Sequence, residues 1–182
     1  MRMFTAIPIR GAVADELHRW VQEHRPSLPF RKWTHPQDYH LTVQFLGEVP
    51  EDRLEELHIA LKSVQVQRIS LALNGGGTFG QARSPRVLFG SVTGDRDGLK
   101  ALHASVLKST EPLGFLPEAR PYSPHITLAR NYSADSKLPF PPGLLESMPS
   151  GASWLADRFV LMRTHMHSSP MYETVYEYSA PS

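Results

Sequence analysis

One pattern occurs twice in this chain: His40-Leu41-Thr42-Val43 and His125-Ile126-Thr127-Leu128, each a His-x-Thr-x with an apolar residue at both x positions. Extended backbone alternates its side chains between two faces. In each copy the imidazole and the hydroxyl therefore point one way and the two apolar groups the other. The surroundings are duplicated as well. An apolar run over 3–9 precedes the first copy and leads into helical spacing of Val13, Leu17, Trp20 and Val21. A run over 87–92 precedes the second and leads into Leu99, Leu102, Val106 and Leu107 on one helical face. Met3 to Val87 is 84 positions and His40 to His125 is 85. The chain reads as two diverged copies of one strand, helix, strand unit.

Taken in order, the first strand is followed by a helix over 13–24, stopped by Pro26 and Pro29. The basic-aromatic stretch Phe30-Arg31-Lys32-Trp33 then either rims a groove beside the first motif or plugs a core gap with Trp33. Period two through 38–47 assigns His40, Thr42 and Gln44 to one face and Tyr39, Leu41, Val43 and Phe45 to the core. A second helix opens at 49–52 and carries Leu54, Leu57, Leu61 and Val64. A strand over 68–73 ends at Asn74-Gly75-Gly76-Gly77. No Gly-Lys-Ser/Thr follows these glycines, so they read as a flexible turn rather than a phosphate loop. Phe79, Arg83 and Arg86 fall on the connection between the halves.

The second copy brings a helix over 98–109 and a Pro-rich approach over 120–124. A loop-rich stretch over 132–151, with a short helix near 144–148, leads to two last strands over 154–163 and 171–178. His165 and His167 join those strands; without accompanying carboxylates they read as part of a surface hairpin rather than a metal site. His18, His24, His58 and His103 lie on helices and are read as structural or solvated.

A chain of 182 residues suits one domain over 1–182, or two intimately packed halves. No apolar window long enough for a membrane span and no signal-peptide layout are present, so a cytoplasmic location is expected. The absence of cysteine excludes a disulfide framework, a thiol nucleophile and thiolate zinc sites. Nineteen basic against eighteen acidic residues argue against coating long nucleic acid through a broad basic surface, while a short anionic end or a small phosphorylated ligand stays compatible.

Two imidazoles suit a displacement in which one oxygen enters phosphorus and another leaves. A neutral ring takes the nucleophile's proton and an imidazolium gives one to the leaving oxygen; an ordinary pKa of about 6.5 makes both forms available near neutrality. The Thr42 and Thr127 hydroxyls would donate to non-bridging oxygens, with the Arg130 guanidinium nearby. This scheme needs no metal. No Gly-x-Ser-x-Gly or His-Glu-x-x-His is found. The same groups would also hold an anion without cutting it, or simply be buried, and the residues alone leave those readings open.

With Phe45-Leu46-Gly47-Glu48 after the first motif and Arg120-Pro121-Tyr122-Ser123-Pro124 before the second, these segments resemble the paired HxTx signatures of the two-histidine (2H) phosphoesterase superfamily. More narrowly, the chain resembles the bacterial and archaeal RNA 2',3'-cyclic phosphodiesterases, also called 2'-5' RNA ligases. The opening Met3-Phe4-Thr5-Ala6-Ile7-Pro8, Trp33, the Arg86-Val87-Leu88-Phe89 strand and Asp157-Arg158-Phe159-Val160-Leu161 extend the likeness over nearly the whole chain.

The resemblance implies a bilobal α+β fold: two pseudo-twofold-related lobes, each with an antiparallel sheet and outer helices, and a central cleft between the sheets. It implies hydrolysis of RNA 2',3'-cyclic phosphate ends to 2'-phosphomonoesters with no cofactor and no metal. His40 would be the proton donor and His125 the proton acceptor, with Thr42, Thr127 and Arg130 binding the phosphate. Its expected partners are RNA 2',3'-cyclic phosphate termini or small cyclic-phosphate nucleotides, met by a cytoplasmic monomer. Alternatives are a 2'-5' RNA ligase, a phosphodiesterase on small cyclic nucleotides, and a non-catalytic RNA-end-binding module. Trp33, Phe45, Phe79 and Tyr122 are candidates for stacking on a base, Phe45 being expected mainly in the core.

Overall fold

In a computed structural model that describes residues 1–133 and 137–182, the duplicated units become two halves of one curled antiparallel sheet. In the first half β1 (Arg2–Pro8) lies between β3 (His40–Glu48) and β8 (Arg158–Thr164), and β8 is edged by β9 (Tyr172–Ser179). In the second half β5 (Pro85–Gly94) lies between β6 (Ile126–Tyr132) and β4 (Ile69–Gly80), and β4 is edged by β7 (Ser150–Ala156). A short β2 (Phe30–Trp33) adds to β6. The halves meet where β3 pairs with β6 through Leu41 and Ile126, the residues directly after the two motif histidines. In place of two separate sheets, the strands form one hydrogen-bonded path joined at that pair.

The helices cross between halves. Helix α1 (Ala12–His24) follows β1, yet its Leu17 packs over Gly90 of β5 and its Trp20 Nε1 donates to Ser147 Oγ at 3.0 Å, just before β7. Helix α3 (Arg96–Thr110) follows β5, yet its Thr110 Oγ1 donates to Gln44 Oε1 of β3 at 2.7 Å. It packs there beside α2 (Leu54–Lys62). Each half thus covers its sheet with a helix from the other, and the buried residues Leu17, Leu41, Leu57, Leu88, Val106 and Ile126 belong to one continuous core. Among the described residues no helix is long and apolar enough to cross a membrane. The loop-rich stretch expected over 132–151 includes residues 134–136, which lie outside the described residues; its short helix is a 3-10 turn, Pro142–Ser147.

Two expectations are corrected. The three glycines do not end a strand, because β4 runs through them to Gly80 with a bulge between Leu73 and Gly76. Gly76 and Gly77 are required by close approach: a Cβ on Gly76 would overlap the Met148 side chain and the Phe89 carbonyl, and one on Gly77 would lie 2.8 Å from the Phe89 ring. The strand expected over 154–163 is two strands, since Ala156 pairs with Ile69 in one half and Arg158 with Ser179 in the other. The change of sheet partner falls at the charged pair Asp157-Arg158, which interrupts the apolar residues on either side. Gly76→Ala is expected to cost about 1–3 kcal/mol through overpacking. A thermal melt of that variant with an unmoved midpoint would mean that β4 can shift to make room.

Candidate active site

The site is built around the Leu41–Ile126 seam. Because β3 and β6 run antiparallel, residues before one partner lie beside residues after the other, so His40 falls on the Thr127 side and His125 on the Thr42 side. His125 stands one residue before β6 begins. The two imidazoles are held alike: His40 Nδ1 donates to the Asp38 carbonyl at 2.7 Å, and His125 Nδ1 donates to the Ser123 carbonyl at 2.8 Å. A carbonyl only accepts, so both rings carry a proton on Nδ1 and keep Nε2 for chemistry. His40 Nε2 lies 3.1 Å from Thr42 Oγ1.

Strict alternation fails at the same motif position in both copies. The β1–β3 register steps from Thr5–Gln44 to Ala6–Thr42 and skips Val43; the β5–β6 register steps from Leu88–Ala129 to Phe89–Thr127 and skips Leu128. These bulges reverse the facing of the residues directly beyond them. Gln44, expected beside the histidine, turns into the core, where its Oε1 accepts from Thr110. Phe45, expected in the core, is 44% exposed and lines the cleft, with the Arg2 guanidinium 5.5 Å from its ring centre. The second bulge buries Ala129 and brings Arg130 to the cleft.

The cleft encloses about 470 Å³ and is lined by His40, Thr42, Thr127 and Arg130, together with Trp33 and Tyr172. His125 does not line this volume; it is held beside it by the edges of Phe79 and Phe89, with ring centres 5.0 and 5.4 Å away. On the other side Phe4 and Tyr172 pack against His40 at 4.9 and 5.2 Å. Tyr122, a stacking candidate, is committed elsewhere. Its hydroxyl donates to the Thr42 carbonyl at 2.8 Å and its ring stacks on His103 at 4.0 Å. Neither Arg83 nor Arg86 lines the cleft.

Sequence reading passed over Asp38, which is 3% exposed. Its carboxylate accepts from the backbone N–H groups of Met171, at 2.9 Å, and Tyr172, at 3.3 Å, while its carbonyl holds His40. One residue thereby ties the first imidazole to the wall that Tyr172 forms. The only signal was an acidic residue two positions before a motif histidine, where the second copy has Ser123.

Burial pushes the pKa of both imidazoles below the ordinary 6.5. For His40 the loss of solvent is opposed by the Asp38 carbonyl and carboxylate and reinforced by His125 and Arg130. For His125 it is opposed by the Ser123 carbonyl and reinforced by Arg130 and Arg120, with no carboxylate among the causes. His165 Nε2 lies 3.0 Å from Glu173 Oε1, and no group of three or more His, Asp or Glu side chains suited to a metal occurs among the described residues.

Comparison with known proteins adds to this geometry. The model of the family described as LigT like Phosphoesterase matches residues 7–89 and 92–172. The chain belongs to the LigT-like phosphoesterase family. Among curated relatives of this phosphoesterase is the RNA 2',3'-cyclic phosphodiesterase of Geobacillus stearothermophilus, 37% identical over 175 residues. That alignment covers 94% of the chain but 55% of the relative, so the chain spans about half the relative's length. The Bacillus subtilis protein of the same name is 31% identical, with 96% of this chain and 94% of the relative covered. The fold is that of Escherichia coli LigT, solved in complex with 3'-AMP: TM-score 0.81 at 22% identity, covering 100% of this chain and 98% of that one.

Proposed function

We propose that this LigT-like phosphoesterase hydrolyses RNA 2',3'-cyclic phosphate ends to 2'-phosphomonoesters by general acid–base catalysis. The observation that carries the reading is the matched pair of imidazoles, each fixed through Nδ1 by a carbonyl two residues earlier and each leaving Nε2 for a proton. A water oxygen attacks phosphorus while His125 Nε2 takes its proton. The bond from phosphorus to O3' breaks, and His40 Nε2 passes its proton to that oxygen, leaving a 3'-hydroxyl and a 2'-phosphate. The Thr42 and Thr127 hydroxyls donate to the non-bridging oxygens, and Arg130 offsets their charge.

The division of labour follows the charges around each ring. Arg130 favours the neutral form of both rings; the Asp38 carboxylate opposes it at His40 and favours the protonated state an acid requires, whereas at His125 Arg120 adds to it and favours the neutral state a base requires. The relatives' shared name, RNA 2',3'-cyclic phosphodiesterase, supports the same substrate.

The test is product analysis of a short oligoribonucleotide ending in a 2',3'-cyclic phosphate, incubated with the protein in excess EDTA. A 2'-phosphate is expected. Formation of 2'-5' linkages in place of hydrolysis would make ligation the activity. Substrate bound and recovered unchanged would make the cleft a binding module, and product that appears only on adding a divalent metal would remove the two-histidine scheme.

A further inference from the structure

Tyr122 lies on the arm that leads to His125 and does not line the cleft, yet it joins the two motifs. Its hydroxyl donates to the Thr42 carbonyl of β3, 80 positions earlier, at 2.8 Å. Its ring lies flat on His103 of α3, with the two planes 5° apart. The next residue, Ser123, supplies the carbonyl that accepts from His125 Nδ1. Two adjacent residues therefore connect the backbone of one motif to the imidazole of the other. The seam explains why a side chain makes this link. β3 and β6 share one pair, Leu41 with Ile126. On the Thr42 side of that pair the arm carries Pro121 and Pro124, which have no N–H to extend the ladder. The phenol supplies a donor where the backbone lacks one. Burial pushes its pKa above the ordinary 10, so it keeps its proton and stays a donor around neutral pH.

The same plan serves His40 with other chemistry: Asp38 supplies the carbonyl, and its carboxylate fastens that segment to the N–H groups of Met171 and Tyr172. We propose that Tyr122 is the corresponding positioning residue for His125, its hydroxyl fixing the arm against Thr42 so that the Thr42 hydroxyl and His125 Nε2 act on one phosphate. This inference rests on the phosphodiesterase reading. Without the hydroxyl, the arm keeps its ring on His103 but loses its hold on β3. The Ser123 carbonyl then loosens its grip on the imidazole, and the two motifs no longer present their groups at a fixed separation. Misplacement of reacting groups by about 1 Å costs on the order of a hundredfold in rate, so a loosened tether is worth about tenfold.

Tyr122→Phe tests this, because it removes the hydroxyl and keeps the ring on His103. With a short oligoribonucleotide ending in a 2',3'-cyclic phosphate, kcat is expected to fall about tenfold while KM stays within about threefold. The losses from Tyr122→Phe and Thr42→Ala should not multiply in the double variant, since one residue acts partly through the other. The pH profile gives a second readout. The Ser123 carbonyl raises the His125 pKa, so a loosened arm lowers that pKa and moves the acid limb of kcat/KM to lower pH. The charged and titratable groups facing His125, namely Arg120, Arg130 and His40, are unchanged in the variant, and the alkaline limb set by His40 should stay in place. His103→Ala, which leaves the hydroxyl but frees the ring, should give a smaller loss of about threefold with the same shift of the acid limb. Unchanged kcat in Tyr122→Phe, or an unmoved acid limb with losses that multiply with those of Thr42→Ala, overturns the positioning role while hydrolysis stands. If the parent protein does not turn the substrate over, the functional reading fails, and this inference with it.

Discussion

His125→Ala and His40→Ala are each expected to lower kcat by about a hundredfold or more, the usual cost of losing one acid or base. KM should change far less, because in the proposed scheme Thr42, Thr127 and Arg130 would still hold the phosphate. The two losses should not multiply in the double variant, since proton removal and delivery serve one displacement. The pH profiles separate the roles. A base must be neutral, so activity falls as pH drops through the His125 pKa; an acid must be protonated, so activity falls as pH rises through that of His40. Both are pushed below the ordinary 6.5, which puts the optimum of kcat/KM on the acid side of that value. His125→Ala should flatten the acid limb and His40→Ala the alkaline limb. Limbs lost the other way round would exchange the two roles, and near wild-type turnover in either variant would remove that residue from the mechanism.

The parts of this site that the sequence displays are those that local pattern encodes. Alternation about His40-Leu41-Thr42 and His125-Ile126-Thr127 put both imidazoles and both hydroxyls on one face, and the repeated spacing of apolar residues showed two copies of one unit. What depends on a partner strand stayed hidden. Whether Val43 or Leu128 is skipped is decided by β1 and β5, and that choice alone sends Phe45 and Arg130 to the cleft. Gly76 and Gly77 looked like a turn because their reason for being small is Met148 and Phe89, elsewhere in the chain. The exchange of α1 and α3 between halves is equally invisible locally, since an apolar helix face does not say which sheet it covers.

Asp38 is the clearest case of a long-range role, joining partners 133 and 134 positions away, and it carries the second large prediction. Asp38→Ala leaves the N–H groups of Met171 and Tyr172 without their acceptor, expected to cost about 2 kcal/mol in a denaturant melt. It also loosens the Tyr172 wall against His40, and displacement on that scale is expected to lower kcat by about tenfold or more. Asp38→Asn separates shape from charge. The amide keeps one acceptor oxygen, so stability should stay within about 1 kcal/mol of the parent, while the negative charge that favours protonated His40 is gone. With the His40 pKa lowered further, the alkaline limb of kcat/KM moves to more acid pH. Activity then drops more above neutrality than below it, and the acid limb set by His125 stays where it was. An alkaline limb unmoved in Asp38→Asn, with activity reduced by one factor at every pH, would leave Asp38 an anchor for residues 171 and 172 only. It would also remove the electrostatic ground for making His40 the acid.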